Sequence, residues 1–130
     1  MHDLFIYGTL LPGLRLQARM QGAQYLGPAC VPGRLLDVGR YPGLVHGDGS
    51  VTGEVYRVSD AQLASLDQVE EMVAGNRAAS QYWREQVTVL QGPLAGQPVW
   101  TYVYNRPADG LRPIAHGDYR RYIREVGRAS

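Results

Sequence analysis

The sequence predicts an α+β fold, in which a small barrel or strongly curved sheet carries flanking helices. Two observations predict it: strand-like segments separated by Gly and Pro fill most of the chain, and only two or three segments have helical periodicity. With 130 residues and 45% hydrophobic content, the chain has the size of one domain able to bury a core. We therefore expect a single domain over residues 1–130.

Five segments are rich in β-branched and aromatic residues and are bounded by turn residues, which is typical of strands. The predicted strands cover residues 4–7, 30–38, 51–58, 82–90 and 98–104, the last two joined through the turn GPLAG. The Gly-rich stretch HGDG at 46–49 is predicted to be a loop.

Helical periodicity is clearest in residues 60–73, where Ser59 and Gln62 have the spacing of a capping box. A second helix is predicted over 118–126, with Tyr119, Tyr122, Ile123 and Val126 on one face, and a short third one over 13–20.

The composition excludes several classes of function. A net charge of +1 predicts no nucleic-acid partner, and the absence of a long apolar run predicts no membrane partner. All 13 basic residues are Arg, so neither a Schiff-base lysine nor a Walker-type phosphate loop is present. The single cysteine and the lack of a signal-peptide pattern favour a cytoplasmic protein.

Glu70 occupies an unusual place on the longest predicted helix. It follows Leu63 by seven residues and Leu66 by four, so it projects toward the apolar face, whereas Glu71 points away from that face. Burial raises the pKa of a carboxyl group toward the range useful for general acid–base chemistry. Glu70 is thus a candidate proton-transfer group. The alternatives are a solvated Glu70 at a frayed helix end, or an ion pair with an arginine such as Arg84.

Other chemistry-bearing residues give weaker signals. Tyr82 and Arg84 share one face of a strand and could contact a substrate, Glu70 or a neighbouring strand. His46 and His116 lack the spacing of metal ligands, so no metal site is predicted. Cys30 is expected to be a small buried residue rather than a nucleophile.

The segment FIYGTLLPG at 5–13 is a strand that ends at Gly8 and Thr9. Six further motifs follow it along the chain in this order: YPGLV at 41–45, VTGEVYRV at 51–58, LDQVE at 66–70, YWREQVTV at 82–89, WTYVYN at 100–105 and GDYRRYI at 117–123. In these motifs and in their order, the chain resembles the γ-glutamylcyclotransferase-like (AIG2-like) family over nearly its whole length.

The resemblance implies a small mixed β-barrel with flanking helices and a cavity whose base is the YGTL turn. Glu70 matches the family's catalytic acid/base. Tyr7, Gly8, Thr9 and Leu10 match the substrate-binding segment, and Tyr82 matches a tyrosine close to the pocket. Glu71 stands where the family often has Gly, a residue that can end the helix.

The reaction that the resemblance implies is the cyclisation of a γ-glutamyl group to 5-oxoproline with release of the attached amine or amino acid. It needs no cofactor, because nucleophile and electrophile belong to one molecule. The implied partner is a small γ-glutamyl compound, and the leaving group is expected to contact loops near 41–49 and 74–81. Two alternatives stay open: a non-catalytic module that binds a small carboxylate, and a structural domain with a buried ion pair at Glu70.

Overall fold

The structure is a computed structural model that describes residues 1–127. Residues 128–130 of the predicted domain lie outside the described residues. The strands are β1 (His2–Ile6), β2 (Gln24–Asp37), β3 (Pro42–Val58), β4 (Tyr82–Thr88), β5 (Pro98–Tyr104) and β6 (Arg112–Pro113). The helices are α1 (Asp60–Val69) and α2 (Tyr119–Glu125), with 3-10 helices at Gln17–Met20 and Arg77–Ala79.

The strands form one mixed sheet in the order β4-β5-β1-β3-β2-β6. Short β1 pairs antiparallel with β3 and parallel with β5. Where β1 ends, β3 and β5 pair with each other directly through Leu44 and Val103. The sheet therefore curls into a half-barrel with two helices, which confirms the predicted α+β class.

Tyr7 lies at this junction, one residue beyond β1. Its buried hydroxyl donates a hydrogen bond to the carbonyl of Tyr102 on β5 at 2.6 Å and accepts one from the amide of Leu44 on β3 at 3.2 Å. Tyr7 thus links the two strands that close around the end of β1.

Strand β1 is buried on both faces, because side chains alternate along a strand. Phe5 faces a core cluster that includes α2, and Leu4 and Ile6 face a second cluster that includes Leu66 of α1. Two apolar layers therefore fix the end of β1 relative to both helices.

Helix α1 begins as the sequence predicts. The Ser59 hydroxyl accepts a hydrogen bond from the amide of Gln62 at 3.1 Å. The Gln62 side chain, however, donates to the carbonyls of Arg19 and Gln21 instead of returning to Ser59. One half of the capping box forms, and the other half ties α1 to the segment after β1.

Several elements differ from the sequence-based predictions. The predicted helix at 13–20 is a series of turns ending in a 3-10 helix, with Gly13 at φ +83°. The predicted loop at 46–49 is a bulge inside β3, because Pro32 pairs with Ser50 and Arg34 pairs with Val45. Strand β2 also begins six residues before its predicted start at residue 30.

The helix predicted near the C-terminus is present as α2. Tyr119, Tyr122 and Ile123 of α2 are buried as expected, while Val126 at the helix end is exposed. None of the helices within residues 1–127 combines the length and the apolar composition that crossing a lipid bilayer requires.

Candidate active site

Helix α1 ends four residues earlier than predicted, at Val69, and Glu70 caps it. The amide of Glu71 donates to the carbonyl of Gln68 at 3.0 Å, and the amide of Met72 donates to that of Asp67 at 2.8 Å. This pair of bonds is a Schellman motif, which requires a left-handed residue after the cap. Glu71 adopts that conformation, with φ 54°.

The Glu70 side chain is only partly accessible to solvent. Among residues 1–127, its carboxylate has neither a hydrogen-bond partner nor an ion-pair partner. Desolvation by burial, and secondly the charge of Glu71, raise its pKa to about 7. A carboxyl group with this pKa exchanges protons readily at neutral pH.

Glu70 opens into a cleft at the end of β1. About 540 Å³ of space free of protein atoms lies in this cleft and at its open mouth. All the candidate site residues from the sequence line it: Tyr7, Gly8, Thr9, Leu10, Glu70 and Tyr82. The fold thus brings together residues more than sixty positions apart in the chain.

The turn after β1 leaves backbone donors unused. The carbonyl of Gly8 accepts from the amide of Leu11 at 3.0 Å, and that of Thr9 accepts from Leu16 at 2.8 Å. Within the described part of the chain, the N–H groups of Gly8, Thr9 and Leu10 donate to no protein acceptor. Because all three residues line the cleft, these unpaired donors favour an anionic or carbonyl ligand there.

Gly8 has a packing role in addition to lining the cleft. A Cβ atom at this position would lie 2.7 Å from Cγ of Pro42. The glycine therefore lets the turn approach the start of β3 closely.

Of the four tyrosines that line the cleft within residues 1–127, Tyr7, Tyr82 and Tyr102 donate their hydroxyl protons to protein acceptors. The Tyr82 hydroxyl donates to the carbonyl of Pro42 at 2.6 Å, and that of Tyr102 donates to Oδ1 of Asp67 at 2.6 Å. Burial is the main cause that raises the pKa of Tyr7, Tyr82 and Tyr102 above the usual range. These phenols stay neutral near pH 7 and shape the cleft, which leaves proton transfer to Glu70.

The ion pair considered between Glu70 and Arg84 does not form. Nε and Nη2 of Arg84 donate to Asp67 at 3.0 and 3.1 Å, and the guanidinium lies 5.1 Å from the ring centre of Trp100. Sequence reasoning missed Asp67, although the LDQVE motif places it one turn before Glu70.

Arg15 and Leu16 also line the cleft, and the sequence does not indicate either of them. Arg15 is exposed, and its Nη2 donates to the carbonyl of Arg40 at 3.3 Å. No motif marks Arg15, because the turns after β1 place it. Of the loops expected near 41–49 and 74–81, only Tyr41 and Pro42 reach the cleft.

The histidines and the cysteine lie away from this cleft. His46 pairs with Glu85 at 3.1 Å, and His116 pairs with Glu125 at 2.8 Å. Cys30 is half-buried, with its Sγ 3.7 Å from the Thr52 hydroxyl. Over the described range, 1–127, no three His, Cys, Asp or Glu side chains are grouped so that they could hold a metal ion.

Most of the chain is similar to a known protein family. Residues 4–121 match the family described as gamma-glutamyl cyclotransferase, AIG2-like. The chain is 38% identical over 117 residues to the gamma-glutamylcyclotransferase family protein YtfP of Escherichia coli K12, covering 89% of this chain and 94% of that protein.

Two further relatives extend the comparison. The chain is 35% identical over 126 residues to the gamma-L-glutamyl-butirosin B gamma-glutamyl cyclotransferase of Niallia circulans, covering 94% of this chain and 78% of that protein. The crystal structure of an AIG2-like protein from Mus musculus superposes with a TM-score of 0.71 at 28% identity, covering 92% of this chain and 88% of that one.

Proposed function

Because the chain belongs to the gamma-glutamyl cyclotransferase, AIG2-like family, we propose that it cyclises γ-glutamyl compounds to 5-oxoproline and releases the attached amine or amino acid. One observation carries this proposal above the others. The unpaired Glu70 carboxylate and the unpaired N–H groups of Gly8, Thr9 and Leu10 belong to residues that line the same cleft.

The reaction begins with proton removal. The α-amino group of the substrate is mostly protonated near pH 7, and Glu70, with a pKa of about 7, is matched to accept a proton from it. The amine nitrogen then attacks the γ-carbonyl carbon of the same glutamyl group, and a new C–N bond closes the five-membered ring.

The ring-closing step places negative charge on the carbonyl oxygen. The N–H groups of Gly8, Thr9 and Leu10 are fixed donors that can stabilise this oxyanion or hold the substrate's α-carboxylate. Glu70 next returns its proton to the leaving nitrogen as the bond between that nitrogen and the γ-carbon breaks. The ring nitrogen still carries two hydrogens at this stage, and it loses one of them to the regenerated Glu70 carboxylate, which releases this proton to solvent. The products are 5-oxoproline and a free amine.

The walls of the cleft can also hold the substrate in the conformation that ring closure needs. A glutamyl chain has several rotatable bonds, and ring closure needs them folded in one way. The buried rings of Tyr7, Tyr82 and Tyr102 form fixed walls beside Glu70. Positioning of this kind reaches effective molarities of about 10⁵ M or more in good intramolecular reactions.

The alternative of a structural domain held by an ion pair at Glu70 loses its basis, since Arg84 pairs with Asp67. The alternative of a binding module for a small carboxylate would use the same cleft and the same N–H groups. We also propose a cytoplasmic setting with small γ-glutamyl compounds as partners; the single cysteine supports the former.

The test is an assay of 5-oxoproline release from γ-glutamyl amino acids and γ-glutamyl amines, with the matching α-glutamyl isomers as controls. We expect release from at least one γ-glutamyl compound and from none of the α-glutamyl isomers. Saturable binding of the γ-glutamyl compounds without any release would instead identify a binding module.

A further inference from the structure

Glu71 holds a backbone conformation that its side chain disfavours. It is the one non-glycine residue with positive φ among residues 1–127. A left-handed conformation costs a residue with a Cβ atom roughly 1–2 kcal/mol. Backbone strain of this kind is concentrated at functional sites, so an observed outlier directs attention to the function of its side chain.

The surrounding loop fixes this conformation. In addition to the two Schellman bonds, the carbonyl of Glu71 accepts from the amide of Gln81 at 3.0 Å. The hydroxyl of fully buried Ser80 accepts from the amide of Val73 at 2.8 Å and donates to the carbonyl of Asn76 at 2.9 Å. The loop therefore holds Glu71 at one place on the edge of the cleft.

The Glu71 carboxylate is exposed and has no partner within the described part of the protein. Glu71 lines the cleft beside Glu70, and its charge is one of the two causes that raise the pKa of Glu70. Among residues 1–127, the cleft is thus lined by two adjacent carboxyl groups and by a single cation, Arg15.

The chemistry of the reaction relates Glu71 to one part of the substrate. Glu70 must reach the leaving nitrogen in order to return its proton. The leaving group, which is attached to that nitrogen, consequently begins next to the Glu70 carboxyl group. Glu71 is the neighbouring residue, and its Cα atom is about 3.8 Å from the Cα atom of Glu70. A partnerless carboxylate at this place attracts a cation and repels an anion.

We propose that Glu71 selects γ-glutamyl amides whose leaving group carries a positive charge. This inference rests on the proposed cyclotransferase activity and adds the class of leaving group. The ion pair would be exposed, and exposed ion pairs typically change an equilibrium by about two- to fivefold at low salt.

The experiment compares three γ-glutamyl amides of equal chain length, with 5-aminopentyl, pentyl and 4-carboxybutyl groups on the amide nitrogen. In wild type at low salt, we expect kcat/KM to be about two- to fivefold higher for the cationic amide than for the neutral one, and lowest for the anionic amide. Raising the salt concentration should reduce this preference, because salt screens exposed charges.

Glu71→Gln and Glu71→Asp form the matched pair of variants. Gln keeps the size of the side chain and removes its charge, so the ratio between cationic and neutral amides should fall to about one. Asp keeps the charge and should retain most of the preference. Any effect of these variants on the pKa of Glu70 is common to the three amides and cancels in the ratio.

Two outcomes would overturn the inference: an unchanged ratio in Glu71→Gln, or a preference for the anionic amide, which would assign selection to Arg15. If no amide releases 5-oxoproline, the proposed activity fails separately. The dissociation constants of the same three amides for wild type and Glu71→Gln would then decide the inference by the same ratios.

Discussion

Arg84 binds Asp67 through two hydrogen bonds, of 3.0 and 3.1 Å, and so leaves Glu70 without a cation although Glu70 lies only one turn further along the helix. The Tyr102 hydroxyl donates to the same Asp67 carboxylate. These contacts join the end of α1 to β4 and β5. Asp67 thereby neutralises an arginine whose free positive charge would lower the pKa of a nearby carboxyl group.

Asp67→Asn should destabilise the protein by about 2–3 kcal/mol, because it leaves a largely buried guanidinium without its counter-charge. Chemical denaturation of Asp67→Asn, Arg84→Met and the double variant measures the pair directly. We expect the double variant to lose less stability than the two single variants together, with a coupling of about 1–2 kcal/mol. Additive losses would mean that the two side chains do not stabilise each other.

Activity should rise with pH through the titration of Glu70. A general base works only when deprotonated, so kcat/KM should be low below the Glu70 pKa of about 7 and should level off above it. The pH profile of kcat/KM, measured with one γ-glutamyl compound, gives this midpoint. A midpoint near 4.5, the ordinary pKa of a glutamate, would contradict a desolvated Glu70.

The two neighbouring charges should move this midpoint in a defined direction. Removing the charge of Glu71 with Gln stabilises the deprotonated Glu70, so the midpoint should shift to lower pH. Asp67→Asn should also shift the midpoint to lower pH, because it frees the positive charge of Arg84. The double variant Asp67→Asn/Arg84→Met lacks this freed cation and serves as the control.

Glu71→Gly should make the protein more stable. Glycine adopts φ values near 54° without the steric cost of a Cβ atom, but it also gains conformational entropy in the unfolded chain. The net gain should be about 0.5–1 kcal/mol in the free energy of unfolding. Glu71→Ala keeps the Cβ atom and removes the charge, so it should give little or no gain; equal gains for Gly and Ala would assign the effect to charge.

Gly8→Ala should perturb the cleft, because the added Cβ atom would meet Cγ of Pro42 at 2.7 Å. Relief of this overlap requires a shift of the Pro42 ring or of the turn, at a cost of about 1–3 kcal/mol. Thermal unfolding measures the loss. Adding Pro42→Ala removes the clashing ring atoms and should recover part of it, while no recovery would place the cause elsewhere in the turn.

The parts of this fold that sequence reasoning predicted depend on local signals. Leu63 and Leu66 indicate the buried face of α1, and spacing alone predicts that Glu70 lies beside them. The β4–β5 hairpin followed from β-branched and aromatic residues around a Gly-Pro turn. The FIYGTLLPG stretch, read as a strand ending on a backbone feature, does end at Ile6 with three unpaired N–H groups beyond it.

The parts that were missed depend on tertiary pairing. The helix predicted over 60–73 includes Val73, but the Schellman motif ends α1 at Val69 and leaves Val73 exposed. Periodicity alone does not reveal that ending, since Glu71 is not the glycine that usually marks it. The HGDG stretch reads as a loop locally, yet pairing with β2 draws it into β3 as a bulge.

The carboxylate that Arg84 binds is also not predictable from the sequence. Spacing indicated that Arg84 could meet a carboxylate of α1, but Asp67 and Glu70 are only three residues apart on that helix. The register between β4 and β5, which puts Arg84 opposite Tyr102, decides in favour of Asp67. That register is set by contacts distant in sequence.

The central claim is that the Glu70 carboxylate transfers the protons of the cyclisation. The most direct test is the rate of 5-oxoproline release by Glu70→Gln, measured beside Glu71→Gln with both variants shown to be folded. With the neutral pentyl amide as substrate, we predict a loss of about 10²–10⁴-fold for Glu70→Gln and retention of most activity by Glu71→Gln. Normal turnover by Glu70→Gln, or a comparable loss in Glu71→Gln alone, would contradict the account.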